Sequence, residues 1–302
     1  MRAVVHDGGT SSVIDVPSPV RPPGWVRVRV LLAAICRTDV YAATGLLPLG
    51  GPRILGHELA GVVEEADGAS AFSAGDHVSV MPLLPCGACK ACADQARCAQ
   101  PVMIGVEVDG AFADEMVVPE AVLVRVPAGL PLRRVALVEP MAATIAVLGA
   151  PIRPDQRGAV VGAGRIADLT VRVLRAHGFR IDHCERPGSG DGGYDFVVES
   201  AGNSAALAEA VHLVRPGGVV VLKSRPAEPV SLDVGRAVRN DILFAAVSYG
   251  SFDDAVDLVG AMDVDDLFGE ILPIERFDEA LAMSLDQPYG PKVFLTPTGR
   301  SS

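Results

Sequence analysis

Residues 158–167 read Gly-Ala-Val-Val-Gly-Ala-Gly-Arg-Ile-Ala. The apolar run Gly158–Gly162 is typical of a short buried strand, and the apolar periodicity of Ile166–His177 predicts a helix. The turn between them has the spacing G-x-G-x-x-A. Between a strand and a helix, this spacing is typical of a turn that holds a dinucleotide pyrophosphate against the helix N-terminus. The candidate cofactor-binding residues of this turn are Gly162, Gly164, Arg165 and Ile166.

Strands and helices keep alternating after this turn. The predicted strands are Arg180–Cys184, Tyr194–Glu199 and Gly218–Lys223, and a helix is predicted over Ser204–Val214. Such alternation predicts the α/β class with a doubly wound parallel sheet. The proline-rich stretch Ala150–Pro154 is the expected hinge before this domain.

An acid and a short linker follow the second predicted strand. Glu185 stands where a carboxylate would accept hydrogen bonds from the adenosine ribose and repel a 2′-phosphate, which favours NAD(H) over NADP(H). The adjacent Arg186 opposes that preference, because a guanidinium there could hold the 2′-phosphate. The linker Arg186–Gly193 is shorter than the dozen or more residues of a normal crossover between parallel strands. We therefore expect it to run extended and without a helix, leaving one sheet face poorly covered.

The first half of the chain has a different pattern. Short β-branched runs broken by Gly and Pro predict a β-rich domain, and the predicted strands are Trp25–Leu32, Ala60–Glu65, His77–Met81 and Phe112–Val118. A helix is predicted at Val135–Leu148. Near the C-terminus, a helix over Phe277–Ser284 and a strand over Lys292–Thr296 are expected.

Candidate metal ligands lie in this β-rich half. Cys36-Arg37-Thr38-Asp39 is followed by Gly56-His57-Glu58, and thiolate, imidazole and carboxylate are ligands that Zn²⁺ accepts in catalytic sites. The third ligand is either Glu139 or Glu58. Asp39 could orient His57 from outside the ligand set, and Thr38 could pass on a proton from a metal-bound alcohol.

Four of the six cysteines form a second candidate metal site. Cys86, Cys89, Cys92 and Cys98 are spaced closely enough for a tetrahedral structural zinc. The N-terminus MRAVVHDGG has no signal-peptide pattern, which favours metal over disulfides and predicts a cytoplasmic location. The remaining histidines have no evident partner and are expected at the surface or packed on strands: His6, His77, His177, His183 and His212.

The composition of the chain restricts the kinds of partner that it is expected to bind. The net charge of −11 and the pI near 5.0 argue against nucleic acid or an anionic membrane. No run of eighteen apolar residues occurs, so a membrane span is not expected. A length of 302 residues, 49% of them hydrophobic, allows two domains with sizeable cores.

Together these motifs resemble the zinc-dependent medium-chain dehydrogenase/reductase family, in particular its polyol and threonine dehydrogenase branch. The resemblance covers essentially the whole chain and includes Gly75–Val78, Asp109–Ala113, Asp195–Glu199 with Gly202-Asn203, and Arg215–Gly218. It implies a GroES-like catalytic domain at 1–150 with a zinc lobe at about 86–98. It also implies a Rossmann domain at 151–273, truncated because the usual helix–strand–helix after Glu185 is missing, and a tail at 274–302 that returns to the first domain.

The activity implied by the resemblance is hydride transfer between a secondary alcohol or ketone and a nicotinamide cofactor, by a homo-dimer or homo-tetramer. Arg37 and Lys292 occupy positions where family members place cations against the pyrophosphate. The family's relay histidine, three residues beyond Thr38, is replaced by Tyr41. The alternative is a zinc-dependent lyase, isomerase or cyclase on an eroded dehydrogenase scaffold. The short linker favours this alternative, and the retained glycine turn and Glu185 oppose it.

Overall fold

The structure, a computed structural model, describes residues 1–93, 98–186 and 188–297. The chain divides into two compact units. The first comprises Met1–Glu139, Val256–Gln287 and the chain from Pro291, and the second comprises Pro140–Ala255 with Pro288–Gly290. These bounds differ from the predicted domain bounds at 150 and 273, which stay predictions. Within the described ranges, no helix is both long and apolar enough to cross a membrane.

The first unit is rich in β-structure. Its strands are β1 (Arg2–Asp7), β2 (Thr10–Asp15), β3 (Trp25–Ala34), β4 (Arg53–Ile54), β5 (Glu58–Glu65), β6 (His77–Val80), β7 (Leu83–Leu84), β8 (Val102–Met103), β9 (Glu115–Pro119), β10 (Leu123–Arg125), β16 (Phe268–Pro273) and β17 (Lys292–Thr296). Seven of them form one sheet in the order β10-β6-β5-β3-β17-β16, with β9 also paired to β3. Every pairing within that sheet is antiparallel except β16 with β17.

Short helices connect these strands. They are α1 (Arg37–Ala43), α2 (Lys90–Ala93), α3 (Leu132–Val135) and α9 (Phe277–Asp286). Two further helices, α4 (Val138–Ile145) and α8 (Phe252–Ala261), each contain residues of both units. The single helix predicted at Val135–Leu148 is therefore wrong in its bounds. α4 ends at Ile145, and a 3₁₀ turn over Ala146–Gly149 follows it.

The core of this unit follows the period-two pattern of its strands. On β3, Val26, Val28 and Val30 alternate with partly exposed residues and are at most 3% exposed. The strand predicted at Phe112–Val118 starts only at Glu115. Phe112 instead donates its backbone N–H to Leu55 and is buried in the core.

The second unit alternates strands and helices as predicted. Its elements are β11 (Arg157–Val161), α5 (Arg165–Ala176), β12 (Arg180–Cys184), β13 (Tyr194–Glu199), α6 (Ser204–Leu213), β14 (Val214–Leu222), α7 (Val234–Arg239) and β15 (Leu243–Ala246). The five strands are parallel and lie in the order β12-β11-β13-β14-β15. Apolar side chains of α5 pack on one face and those of α6 on the other, which makes the sheet doubly wound.

The linker from β12 to β13 contains no helix over residue 186 and residues 188–193, as predicted. It is not extended as predicted, because a turn and bends interrupt it. It crosses β11, because β12 and β13 pair with opposite edges of that strand. Gly188, Gly192 and Gly193 have φ angles of +74°, +79° and +71°, a region that glycine enters without steric cost. These left-handed residues let a short chain change direction several times.

The linker packs directly on the sheet at Gly190. A Cβ atom at that position would lie 2.9 Å from Leu213 Cδ2 and 3.1 Å from Cys184 Sγ. Cys184 is only 2% exposed. The expectation of a poorly covered face is therefore wrong at Cys184, because the linker backbone itself covers it.

Candidate metal centres and cofactor site

Asp39 connects the two segments that carry the candidate metal ligands. Its Oδ2 accepts the backbone N–H of Cys36 at 2.8 Å, and its Oδ1 accepts that of Gly56 at 3.1 Å. The same Oδ1 lies 3.4 Å from His57 Nδ1, and the Asp39 side chain is 2% exposed. One buried carboxylate thus holds the start of α1, the loop before β5 and the imidazole, as expected for a residue that orients His57.

Three of the predicted ligands meet beside Asp39. The Sγ of Cys36, a ring nitrogen of His57 and a carboxylate oxygen of Glu58 all lie within 4.8 Å of one another. His57 Nδ1 is buried and makes no hydrogen bond of good geometry. With Asp39 facing Nδ1, Nε2 is the nitrogen left for a metal. A thiolate, an imidazole and a carboxylate at these distances fit a zinc ion.

Burial and charge act in opposite directions on His57. Burial alone would lower the pKa of this imidazole, but the negative charges of Asp39 and Cys36 outweigh it and raise the pKa well above the ordinary value. The site therefore favours a positive charge on the His57 imidazole. A metal ion would satisfy the same field, since it replaces a proton on a ligand.

Glu58 belongs to a buried charge cluster. Burial raises the pKa of its carboxyl group, the ammonium of Lys292 opposes that rise, and the charge of Glu139 adds to it. Lys292 is 3% exposed and donates a hydrogen bond to Glu58 Oε2. Lys292 is therefore a buried charge, and its contact with a pyrophosphate stays a prediction.

Two other predicted catalytic residues stand next to this group. Glu139, on α4, is 5% exposed and lies outside the 4.8 Å group, although its charge acts on Glu58. Thr38, in the first turn of α1, has its Oγ1 3.9 Å from Cys36 Sγ. Tyr41 follows one helical turn later, and Arg37 is the first residue of the same helix.

The four cysteines of the predicted zinc lobe also lie close together. The Sγ atoms of Cys86, Cys89, Cys92 and Cys98 lie within 4.8 Å of one another, and all four are free thiols. Hydrogen bonds from the backbone N–H groups of Ala99 and Cys92 lower the pKa of Cys89 to about 6. Thiolate ligands at this spacing fit a tetrahedral zinc ion. Residues 94–97, within the lobe, lie outside the described residues.

The glycine turn lies where β11 passes into α5. Gly162 has a φ of +143°, and a Cβ atom there would lie 2.7 Å from Ser200 Oγ, so a larger residue would not fit. Gly164 is the N-cap residue of α5, whose first two residues are Arg165 and Ile166. The Arg165 guanidinium donates to the Gly290 carbonyl at 2.7 Å. Among the described residues, no side-chain hydrogen bond caps α5 at Gly164, so the helix N-terminus can bind an anionic group.

The end of β12 lies beside this turn. The Gly162 N–H donates to the Cys184 carbonyl at 3.1 Å, and Glu185 follows with a side chain that is 61% exposed. His183 was expected to be a surface or packing residue, yet its Nε2 lies 2.8 Å from the Gly162 carbonyl oxygen. The period-two spacing between His183 and Glu185 is the sequence signal by which this residue could have been found.

Comparison with known proteins places this arrangement in a family. Residues 22–128 match the alcohol dehydrogenase GroES-like domain. L-threonine 3-dehydrogenase of Pyrococcus furiosus is 31% identical over 279 residues, which cover 78% of this chain and 77% of the relative. The chain belongs to the zinc-dependent medium-chain dehydrogenase/reductase family. The predicted family is confirmed.

Solved structures of medium-chain dehydrogenases have the same fold. A Sinorhizobium meliloti protein, classed as a zinc-binding dehydrogenase and solved bound to NADP, has a TM-score of 0.86 and 25% identity, covering 98% of this chain and 99% of that one. A thermostable alcohol dehydrogenase from Pyrobaculum aerophilum has a TM-score of 0.85 and 26% identity, with coverages of 98% and 99%. This medium-chain dehydrogenase has the predicted GroES-like and Rossmann-type architecture, and its function is of the redox, alcohol-dehydrogenase type.

Proposed function

We propose that this medium-chain dehydrogenase is a zinc-dependent enzyme that transfers a hydride between a small secondary alcohol or ketone and a nicotinamide cofactor. The observation that carries the proposal is the group of half-buried Cys36 and buried His57 and Glu58, whose ligand atoms lie within 4.8 Å of one another. Membership of the medium-chain dehydrogenase/reductase family supports hydride transfer as the class of reaction. The working assembly is a homo-dimer or homo-tetramer, and sedimentation velocity measures it.

Zinc binding is assigned to two sets of residues. Cys36 and His57 are ligands of the catalytic ion, and its third ligand is Glu58 or Glu139. The structural ion is assigned to the four-cysteine lobe, Cys86, Cys89, Cys92 and Cys98. Because Glu58 is inside the 4.8 Å group and Glu139 is outside it, Glu58→Gln is expected to lower the zinc affinity more than Glu139→Gln.

The catalytic roles follow from chemistry and position. Bound zinc would supply the Lewis acidity that lowers the pKa of a substrate hydroxyl. Thr38 Oγ1, 3.9 Å from Cys36 Sγ, accepts the hydroxyl proton and passes it towards water or the Tyr41 hydroxyl. Asp39 holds His57 in one orientation through its 3.4 Å contact with Nδ1.

The cofactor is assigned to the turn of the second unit. Gly162 and Gly164, with Arg165 and Ile166, present the N-terminus of α5 to the pyrophosphate. Glu185 accepts hydrogen bonds from the adenosine ribose, which favours NAD(H) over NADP(H). Arg37 and Lys292 are the further cations proposed for the pyrophosphate.

Titration calorimetry of the zinc-loaded protein with NAD⁺, NADH and NADP⁺ tests this function. Saturable binding is expected for all three, tightest for NAD⁺ and NADH. The absence of saturable binding of any dinucleotide up to millimolar concentration would overturn the dehydrogenase proposal. That result would favour the non-redox alternative that the shortened linker suggests.

A further inference from the structure

The first glycine of the cofactor turn is held on both of its backbone groups by the end of β12. Its N–H donates to the Cys184 carbonyl at 3.1 Å, and its carbonyl oxygen lies 2.8 Å from His183 Nε2. Two consecutive residues of one strand thus fix Gly162. His183 is therefore in a position to set the geometry of the phosphate-binding turn.

The other nitrogen of the same ring faces the candidate ribose acid. His183 Nδ1 lies 3.5 Å from Glu185 Oε1, and the imidazole is 18% exposed. Both ring nitrogens thus face acceptors, a carbonyl and a carboxylate. A neutral imidazole has one N–H and can satisfy one acceptor, whereas an imidazolium donates from both nitrogens. The charge of the ring therefore decides whether it can donate to one of these acceptors or to both.

Charged groups on the elements next to His183 have partners of their own. On α5, the helix packed against β12, Arg172 and Asp168 pair at 2.7 Å. Arg175 donates to the Ile181 carbonyl at 2.9 Å. Arg186 follows Glu185 directly in the chain and is exposed. Among the described residues, Glu185 forms an ion pair with His183.

We propose that His183 is a positioning residue of the cofactor site that makes the discrimination between a ribose 2′-hydroxyl and a 2′-phosphate depend on pH. This inference rests on the proposed dinucleotide function. Histidine changes charge between pH 5 and 8. When the ring is neutral, the unopposed Glu185 carboxylate repels a 2′-phosphate. When the ring is an imidazolium, it balances Glu185, and NADP⁺ gains affinity relative to NAD⁺.

The experiment measures the Kd of NADP⁺ and of NAD⁺ by calorimetry between pH 5.5 and 8.5, for the zinc-loaded wild type and for His183→Gln. A glutamine amide can still donate to the Gly162 carbonyl but cannot become a cation. The 2′-phosphate itself titrates near pH 6, and this contribution is the same in both proteins. His177→Gln is the matched control, because His177 contacts the Val173 carbonyl at 2.8 Å on the same unit.

In the wild type, the ratio of the NADP⁺ Kd to the NAD⁺ Kd is expected to fall on acidification about fivefold more than in His183→Gln, within the usual range of coupling between two bound groups. His177→Gln should follow the wild type. If His183→Gln does not fold, His183→Asn gives the same readout, because its amide is likewise unable to become a cation. Binding of both dinucleotides with equal pH dependence in wild type and variant would overturn this inference alone. No binding of either at any pH would instead overturn the proposed function.

Discussion

At the scale of single residues, buried carboxylates organise the candidate metal centre. Asp39 binds two backbone N–H groups and faces His57, so it links residues 36, 56 and 57 through one side chain. Glu58 is balanced by Lys292, which is equally buried. Such groups are stable in a protein interior only when their charges and hydrogen bonds are satisfied.

Replacing Lys292 tests the charge balance. Lys292→Met leaves the Glu58 carboxylate buried without its ammonium partner, so the free energy of unfolding at pH 7 should fall by about 3–5 kcal/mol. The double variant Glu58→Gln, Lys292→Met should recover part of that loss in denaturant unfolding. The exposed Lys90→Met is the control and should change stability by less than about 0.5 kcal/mol. Equal losses in the single and double variants would contradict the ion pair.

Replacing Thr38 tests the proton relay. Thr38→Val keeps the shape of the side chain and removes the hydroxyl, so turnover should fall by about 10²–10⁴-fold because proton transfer loses its acceptor. Zinc content, measured by mass spectrometry, should be unchanged. Thr44→Val on the following turn, whose hydroxyl donates to the Val40 carbonyl, is the matched control. Unchanged turnover in Thr38→Val would refute the relay.

At the scale of secondary-structure elements, the connection from β12 to β13 is the unusual part of the Rossmann-type sheet. A crossover between parallel strands normally takes a dozen or more residues, and here eight are used. Glycines with positive φ angles let the linker turn. Gly190 packs closely against the side chains of Leu213 and Cys184, so the linker covers the sheet there. The carboxyl end of β12, which carries His183 and Glu185, thereby keeps its place beside the glycine turn.

A single added methyl group tests this packing. Gly190→Ala would place a Cβ atom 2.9 Å from Leu213 Cδ2, so stability should fall by about 1–3 kcal/mol through overpacking. Gly129→Ala is the matched control, since a Cβ atom there meets nothing within 4 Å. Denaturant unfolding of both variants measures the difference. Equal stability of the two variants would show that the linker is not packed as described.

At the scale of the whole molecule, two separate clusters of ligands predict two zinc ions per chain. One cluster consists of Cys36, His57 and Glu58, and the other is the four-cysteine lobe. Their ligands do not overlap, so each ion should be lost independently of the other. The chain's net charge of −11 also favours binding of cations over nucleic acid.

Zinc stoichiometry tests the two clusters. Cys98→Ser should lower the zinc content from about two ions per chain to about one, because a structural site needs four ligands. Cys184→Ser is the matched control, since Cys184 is a buried free thiol outside both groups. Elemental analysis by mass spectrometry after dialysis measures both. A full zinc content in Cys98→Ser would contradict the structural site.

The sequence by itself determined the local features: the strand–turn–helix at 158–177, the thiol spacing at 86–98 and the ligand types at 36, 57 and 58. These depend on residues close together in the chain, where hydrophobic period and donor chemistry suffice. The tertiary structure alone decided the pairing of Glu58 with Lys292, which are 234 residues apart. It also decided the contacts of His183 with Gly162 and Glu185, because β12 lies beside β11 only once the sheet has formed. Ion pairs and ring contacts between distant segments depend on how strands are ordered, and no local pattern encodes that order.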